Sequence, residues 1–432
     1  MTEHPRVIII QTTPYSTNNS SRSLDSYFHY WEKDRVRQIF SRNWVPRKGH
    51  CGELYQIKDS ELLKKWLHRS VDVGTIYRYQ DLDDQGSCQV IETDELSSKG
   101  YSIGRMHTPT IELMRGLLWK KKYWCTEKLI EWLDDYKPEI IFYNFTNNLF
   151  LQKIALFIAD RYNIPIITAI GDDYYFNDKK SASLAYHLFR KQYKKLTEKI
   201  FAHPGSAVYV CDKIRDKYNE RFFLDGETIY FNSAIKRKAF TPINTISPKI
   251  VYFGNIRLGR NIALKEVADV LGRVNSEYKL EIYSNEQDEI VYKDLKEHPN
   301  VVWAGAIPYS EVMNKTSMCD IYVVVESFEE KDINYTRYSL STKAADGLAS
   351  GAAVLAYGPS ESGLIDYLYK TKAAVVCTEK NELENIIRDL LSSISKQREI
   401  YEKAIEITNK NHTLESSTAA FERVIYQTLN KK

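Results

Sequence analysis

The stretch Asp320–Ser360, DIYVVVESFEEKDINYTRYSLSTKAADGLASGAAVLAYGPS, decides how the rest of the chain is read. Ile321 to Val325 is an unbroken apolar run, the pattern of a strand buried on both faces of a parallel sheet. It ends at the carboxylate Glu326 and passes into a long polar loop that leads to Ser341-Thr342-Lys343. A short helix is predicted from Lys343 to about Ser350, with Ser341 or Thr342 capping its first N–H groups and Gly351 closing its end. Ala352 to Ala356 then forms a second apolar strand. Strand, loop, capped helix and strand make a βαβ-like unit, and such a unit aims its helix N-terminus at a crevice beyond the strand ends. Free N–H groups, a hydroxyl and a lysine at one helix start suit a diphosphate, and Asp346, one turn in, suits a ribose diol. Each feature also has an ordinary reading: Lys343 as a solvated side chain, Asp346 as a carboxylate favouring the positive helix end.

The run S-T-K-x-x-D-x-L-A-S-G-x-x-V-L-A, Ser341 to Ala356, resembles the donor-binding element of bacterial GT-B glycosyltransferases of family 4. That resemblance implies an α/β fold of GT-B architecture, two Rossmann-like doubly wound domains facing across a cleft. It implies that Ser341, Thr342 and Lys343 hold the diphosphate of a nucleotide sugar and that Asp346 meets the ribose, where the family usually has glutamate. Many members place another glutamate eight positions earlier; here that position is Tyr338.

Two further segments extend the resemblance. Ile250–Phe253 followed by Gly254-Asn255-Ile256-Arg257-Leu258-Gly259-Arg260 is similar to the G-N-L-G-x-x-R element of the same transferases, which puts Arg260 on phosphate beside Gly254 and Asn255. A glycine that allows close approach and an arginine fork are the chemistry an anion site needs, although a surface ion pair uses the same residue. The Trp303–Val312 segment is similar to the base-pocket segment of the family, with Ala306 and Ile307 offering backbone groups to the base. A plain strand-turn-helix with Pro308 in the turn reads equally from those residues. Arg337 is a candidate for the same donor site.

Candidate catalytic groups are Asp172 and Asp173, directly after the apolar run Ile166–Ile170, and Glu326. The aspartates fit an acceptor hydroxyl or its proton, and they fit equally the capping of a loop. The polar loop from Thr12 to Ser21 after the strand Arg6–Gln11 is either an acceptor-site lining or a surface loop. No metal motif stands out among the nine histidines, and a metal is not expected to be required if Arg260, Lys343 and helix N–H groups neutralise the leaving diphosphate. No covalently bound cofactor is expected.

The length of 432 residues exceeds one ordinary core and points to two or three domains. The reading is an N-terminal acceptor-side domain over 1–240, a Pro-containing linker at 241–248, a donor domain over 249–405, and a terminal helical segment over 406–432 that the family resemblance returns to the first domain. Phe421, Val424, Ile425 and Leu429 are its expected buried face.

A formal charge of +3 from 60 basic and 57 acidic residues does not argue for nucleic acid. Six scattered cysteines with no CxxC pair argue against a disulfide framework or a metal cluster. The N-terminus lacks a signal-peptide pattern, and no apolar run approaches about 18 residues, so a cytoplasmic location is expected. Basic patches at Lys120–Lys122 and Arg190–Lys195, with Lys199 and interleaved Tyr186, Phe189 and Tyr193, fit either an anionic membrane surface on the inner face of the plasma membrane or a solvated helix. The family resemblance implies transfer of a sugar from a nucleoside-diphosphate donor to a glycan or lipid-linked glycan hydroxyl, with retention, in bacterial surface-polysaccharide synthesis. A sugar-nucleotide epimerase, an inverting transferase and a non-catalytic nucleotide-sugar-binding protein remain the alternatives.

Overall fold

A computed structural model describes residues 3–15, 22–68, 70–83, 89–90, 108–178 and 181–431. The chain divides into two compact units, one made of Met1–Tyr209, Arg215–Thr228 and Thr418–Lys432, the other of Val210–Ile214 and Ile229–Ser417.

The first unit is built on strands β1 (Val7–Ile10), β2 (Val36–Phe40), β4 (Glu53–Gln56), β5 (Thr75–Arg78), β7 (Ile140–Asn144), β8 (Ile166–Ile170), β9 (Gly205–Tyr209) and β10 (Glu227–Thr228). A separate antiparallel pair joins β3 (Trp44–Val45) to β6 (Gln89–Val90). The main sheet runs β10-β9-β8-β7-β1-β2-β4-β5, all parallel except the edge strand β5, which pairs antiparallel with β4. β1 lies between β2 and β7, so the strand order reverses there, and that reversal is where a doubly wound sheet opens a crevice. Val7 to Ile10 are fully buried, as four β-branched residues sandwiched between helix layers must be.

The helix Leu414–Asn430 delivers its later turns to this unit. Phe421, completely buried, packs against Tyr27, Phe28, Trp31 and Phe142 with ring centroids 4.9, 5.0, 5.8 and 5.6 Å away. Val424 and Ile425 are buried beside it, whereas Leu429 is half-buried and Thr428 lies deeper.

The second unit is a six-stranded, all-parallel sheet in the order β13-β12-β11-β14-β15-β16. Its strands are β11 (Ile250–Phe253), β12 (Leu280–Tyr283), β13 (Val301–Gly305), β14 (Ile321–Val325), β15 (Ala353–Tyr357) and β16 (Val375–Cys377). Every residue of β14 is buried, as its unalternated sequence requires. The core gathers Ile250, Tyr252, Leu264, Leu271, Leu280, Val323, Leu355 and Ile387.

Two departures from the sequence reading concern chain organisation. The stretch 241–248 lies within the second unit, and the chain crosses between the units at 209/210, 214/215, 228/229 and 417/418. Ile243 explains this: it is buried in the second core, and its N–H is held by Gln397 Oε1 at 3.0 Å. The long polar loop after Glu326 contains a helix, Glu330–Thr336, whose acidic first turn complements its positive end.

Candidate functional site

In the second unit β11 is flanked by β12 on one side and β14 on the other, so the crevice lies beyond the ends of β11 and β14. The segments leaving these two strands carry most of the residues singled out from sequence.

β11 ends in the turn Gly254-Asn255. Gly254 sits at φ +114°, in the region that favours glycine, and a Cβ there would approach Lys343 Cε to 2.8 Å. The missing side chain is therefore the space through which the Lys343 stem passes. Asn255 is exposed; its Oδ1 accepts from the Arg257 N–H at 2.6 Å and its carbonyl from Tyr252 Oη at 2.6 Å. Gly259, at φ +68°, closes the turn before helix Arg260–Val274, and a Cβ on it would strike Ser327 Oγ and Asp332 Oδ2. That tight fit brings the first helical residue, Arg260, against the end of β14.

There Arg260 grips Glu326 with both edges of its fork, Nε to Oε2 at 3.0 Å and Nη2 to Oε1 at 3.1 Å. Neither partner has much access to water: the side chains are 13% and 4% exposed. Arg257, by contrast, binds Glu286 at 2.7 Å and Asp288 at 3.7 Å on the surface.

The third segment is the helix Thr342–Ser350, capped by Ser341 Oγ, which accepts from the Lys343 N–H at 3.3 Å, and closed by Gly351 at φ +83°. Lys343 turns back onto β11, where Nζ donates to Tyr252 Oη at 2.8 Å and lies 4.6 Å from the ring centre. Burial, then the neighbouring Arg260, pull its pKa down to about 7, with Glu326 opposing. Burial pushes the Tyr252 phenol in the other direction, well above its ordinary value.

Gly254, Arg260, Glu326, Lys343 and the start of helix Thr342–Ser350 thus form one cluster. Asp346, buried on that helix, is drawn toward the segment after β10: its Oδ1 accepts from Ser233 Oγ at 2.7 Å. Ala306 and Ile307 follow Gly305 at the end of β13, two strand spacings from β11, or about 10 Å. Arg337 ends helix Glu330–Thr336, and its buried Nε has no hydrogen-bond partner among the described residues. Tyr338 offers its carbonyl to Cys211 Sγ at 3.3 Å.

Asp172 and Asp173 belong to the first unit, on the loop after β8. Their environments separate them. Asp173 Oδ1 accepts from Tyr218 Oη at 2.8 Å and from the Phe176 N–H at 2.9 Å, which makes it a loop cap. Asp172 keeps a solvent-facing edge and one long contact, Tyr174 Oη at 3.4 Å; desolvation raises its pKa, and Asp173 adds to the rise. Residues 16–21 of the candidate acceptor loop lie outside the described residues.

Two residues that sequence reasoning passed over, Tyr252 and Ser233, carry these sites, and a third, Arg190, was read for another role. Tyr252 anchors Lys343, and Ser233 orients Asp346. Arg190 clamps the loop after β8 through Tyr174 O and Tyr175 O, each at 2.7 Å, and Asp178 at 2.7 Å. Arg190 therefore leaves the expected basic interfacial face, and Lys194 follows it to Asp178 at 2.5 Å. Phe189 and Tyr193 leave it as well, being 3% and 0% exposed in the core. Among the exposed residues of helix Leu184–Ala202, Leu184, Leu188, Lys191, Lys195 and Lys199 fall at helical spacing, with His187, Gln192 and Glu198 exposed beside them. No helix among the described residues is long and apolar enough to cross a membrane. Among the described residues, no group of three or more His, Cys, Asp or Glu side chains is placed to hold a metal ion.

A family model described as glycosyl transferase-like matches residues 260–423, the part of the chain that starts at Arg260. No curated protein matches the sequence. Solved structures match the fold across the whole length. The Anabaena protein Alr3699/HepE, in complex with UDP and glucose, is 11% identical, with 98% of this chain and 100% of that one covered and a TM-score of 0.61. Sucrose-phosphate synthase from Thermosynechococcus elongatus is 10% identical over 99% of this chain and 100% of that one, with a TM-score of 0.59. TarM is 16% identical with a TM-score of 0.51; 68% of this chain aligns, spanning 57% of TarM. At such identities the likeness defines the fold, two Rossmann-like units of the GT-B type.

Proposed function

We propose that this chain is a glycosyltransferase that carries a sugar from a nucleoside-diphosphate donor to a hydroxyl acceptor. The observation that carries the reading is the cluster at the β11/β14 switch point, where the Arg260 fork, the Lys343 amine and the capped start of helix Thr342–Ser350 converge. These groups would bind the diphosphate and stabilise the charge that develops on it as the glycosidic bond breaks. Glu326, with both oxygens on Arg260, fixes the fork instead of reacting. Ser341 and Thr342 sit at the same helix start, with Gly254 and Asn255 opposite; Asp346, oriented by Ser233, is assigned to the ribose and Ala306 and Ile307 to the base. Arg337 is assigned to the same donor site. Of the two aspartates, Asp172 is the one suited to take the acceptor's proton, since Asp173 is committed to its loop. HepE was solved with UDP and glucose, which supports a donor of that chemical class here.

Retention of anomeric configuration, a glycan or lipid-linked acceptor and a role in bacterial surface polysaccharide follow from the family resemblance. A cytoplasmic protein resting on anionic lipid through the Leu184–Lys199 stripe would meet such an acceptor. The test is product analysis with a panel of nucleotide sugars and hydroxyl acceptors. A new glycoside of defined anomeric form supports transfer. A rearranged free sugar indicates epimerisation, and binding without any turnover indicates a non-catalytic protein.

A further inference from the structure

A charge withdrawn from water is matched by a counter-ion or given up. At the β11/β14 switch point the matching is uneven. Glu326 uses both carboxylate oxygens on Arg260. Lys343 is half-buried; its Nζ meets a neutral phenol, Tyr252 Oη, and makes no ion pair among the described residues. That phenol donates its own proton to the Asn255 carbonyl at 2.6 Å, so it accepts from Lys343, and an uncharged amine donates to it as well as an ammonium does.

Charged and titratable groups around Lys343 come from four neighbouring segments and from its own helix. β11 supplies Tyr252, helix Arg260–Val274 supplies Arg260, and the end of β14 supplies Glu326. Helix Glu330–Thr336 supplies Asp332, which acts on Arg260 and accepts from Ser327 Oγ at 2.9 Å. On the lysine's own helix, Asp346 is engaged with Ser233. The arrangement holds one matched cation and one unmatched amine.

We infer that the second unit takes up its donor together with a proton, Lys343 being an amine in the empty site and an ammonium once the diphosphate is bound. The inference rests on the donor reading above and concerns the same site. The proton passes from bulk water to the Nζ lone pair, and the diphosphate provides the negative charge that Glu326 withholds. The depressed pKa of Lys343, about 7, agrees with this direction.

Titration calorimetry on the full chain tests it with UDP-glucose, GDP-mannose, ADP-glucose and dTDP-glucose. Their diphosphate diesters do not ionise near neutrality, so the ligand supplies no proton of its own. Binding enthalpy is measured in phosphate and in Tris, and its slope against buffer ionisation enthalpy counts the protons taken up. With Lys343 titrating at about 7, the slope is expected near 0.5 at pH 7, toward one at pH 8 and toward zero at pH 6. In Glu326→Gln the amine loses the charge that helps protonate it, and the slope at pH 7 is expected to rise toward one. A slope of zero at pH 7 and 8 with a sugar nucleotide bound overturns the inference and leaves the donor reading standing. An unchanged slope in Glu326→Gln overturns Lys343 as the acceptor of the proton. Absence of binding by all four overturns the donor reading, and the inference with it.

Discussion

Replacing Glu326 by alanine strands a guanidinium. In the native unit Arg260 and Glu326 form a bidentate pair whose side chains are 13% and 4% exposed, so neither can turn to water without local opening. Removing one partner of such a pair costs about 3–5 kcal/mol, because the survivor is left as an uncompensated buried charge. Removing both, as in Arg260→Met with Glu326→Leu, restores an apolar contact of similar volume and is expected to come within about 1–2 kcal/mol of the parent. The non-additivity is the diagnostic quantity, since residues in contact couple and distant ones do not. The assay is amide exchange of β11 and β14 under increasing urea, which follows the second unit alone and avoids assuming that both units unfold together. The same double variant, despite its recovered stability, is expected to lose donor affinity, because it lacks the fork proposed to hold the phosphate. A loss under about 1 kcal/mol in Glu326→Ala, or a double variant as unstable as the single one, would refute the argument that this pair is buried and mutually dependent.

Other predictions address the remaining parts of the two units. Folding strips a proton from Lys343, held at about 7 against an unfolded value near 10.4, so between those limits the unfolded state binds more protons and stability rises with pH. The rise is at most about 1.4 kcal/mol per pH unit and is absent in Lys343→Met; equal pH slopes in the second-unit unfolding of parent and variant would contradict it. Asp172→Asn is expected to lower kcat by about 10²–10⁴-fold with thermal stability unchanged. Asp173→Ala, which strands the Tyr218 hydroxyl and the Phe176 N–H, is expected to destabilise the first unit by about 1–3 kcal/mol. The opposite ranking in turnover and melting assays would reverse the two roles. Charge reversal at Lys191 and Lys195, at about 1 kcal/mol per lysine, is expected to weaken co-sedimentation with anionic vesicles more than tenfold. Equal sedimentation would remove the membrane face.

Features set by local pattern were legible in the sequence. Ile321–Val325 announces a doubly covered strand, Ser341 and Gly351 announce the two ends of a helix, and the spacing of Phe421, Val424 and Ile425 announces a buried stripe. The helix Glu330–Thr336 escaped because it has no apolar face to announce it; its buried residues are Asp332 and Thr336. β5 escaped as a half-exposed edge strand, paired on one side only. In helix Leu184–Ala202 the apolar and basic residues were legible, but which of two overlapping stripes turns inward is a property of the sheet it covers. The Arg260–Glu326 pair joins positions 66 apart, and nothing local in either segment names the other. Glu326 therefore read as a candidate for chemistry, with no sign in the sequence of its bonds to Arg260.

The placement of Phe421 bears on the order in which the chain can mature. Its ring fills the space between Tyr27, Phe28, Trp31 and Phe142, all of which leave the ribosome early. The whole of Ile229–Ser417 is synthesised before Phe421 emerges. The first unit therefore waits with an unfilled aromatic socket while the second can already fold. N-terminal-first maturation, the usual course for multidomain chains, is here inverted at the last step.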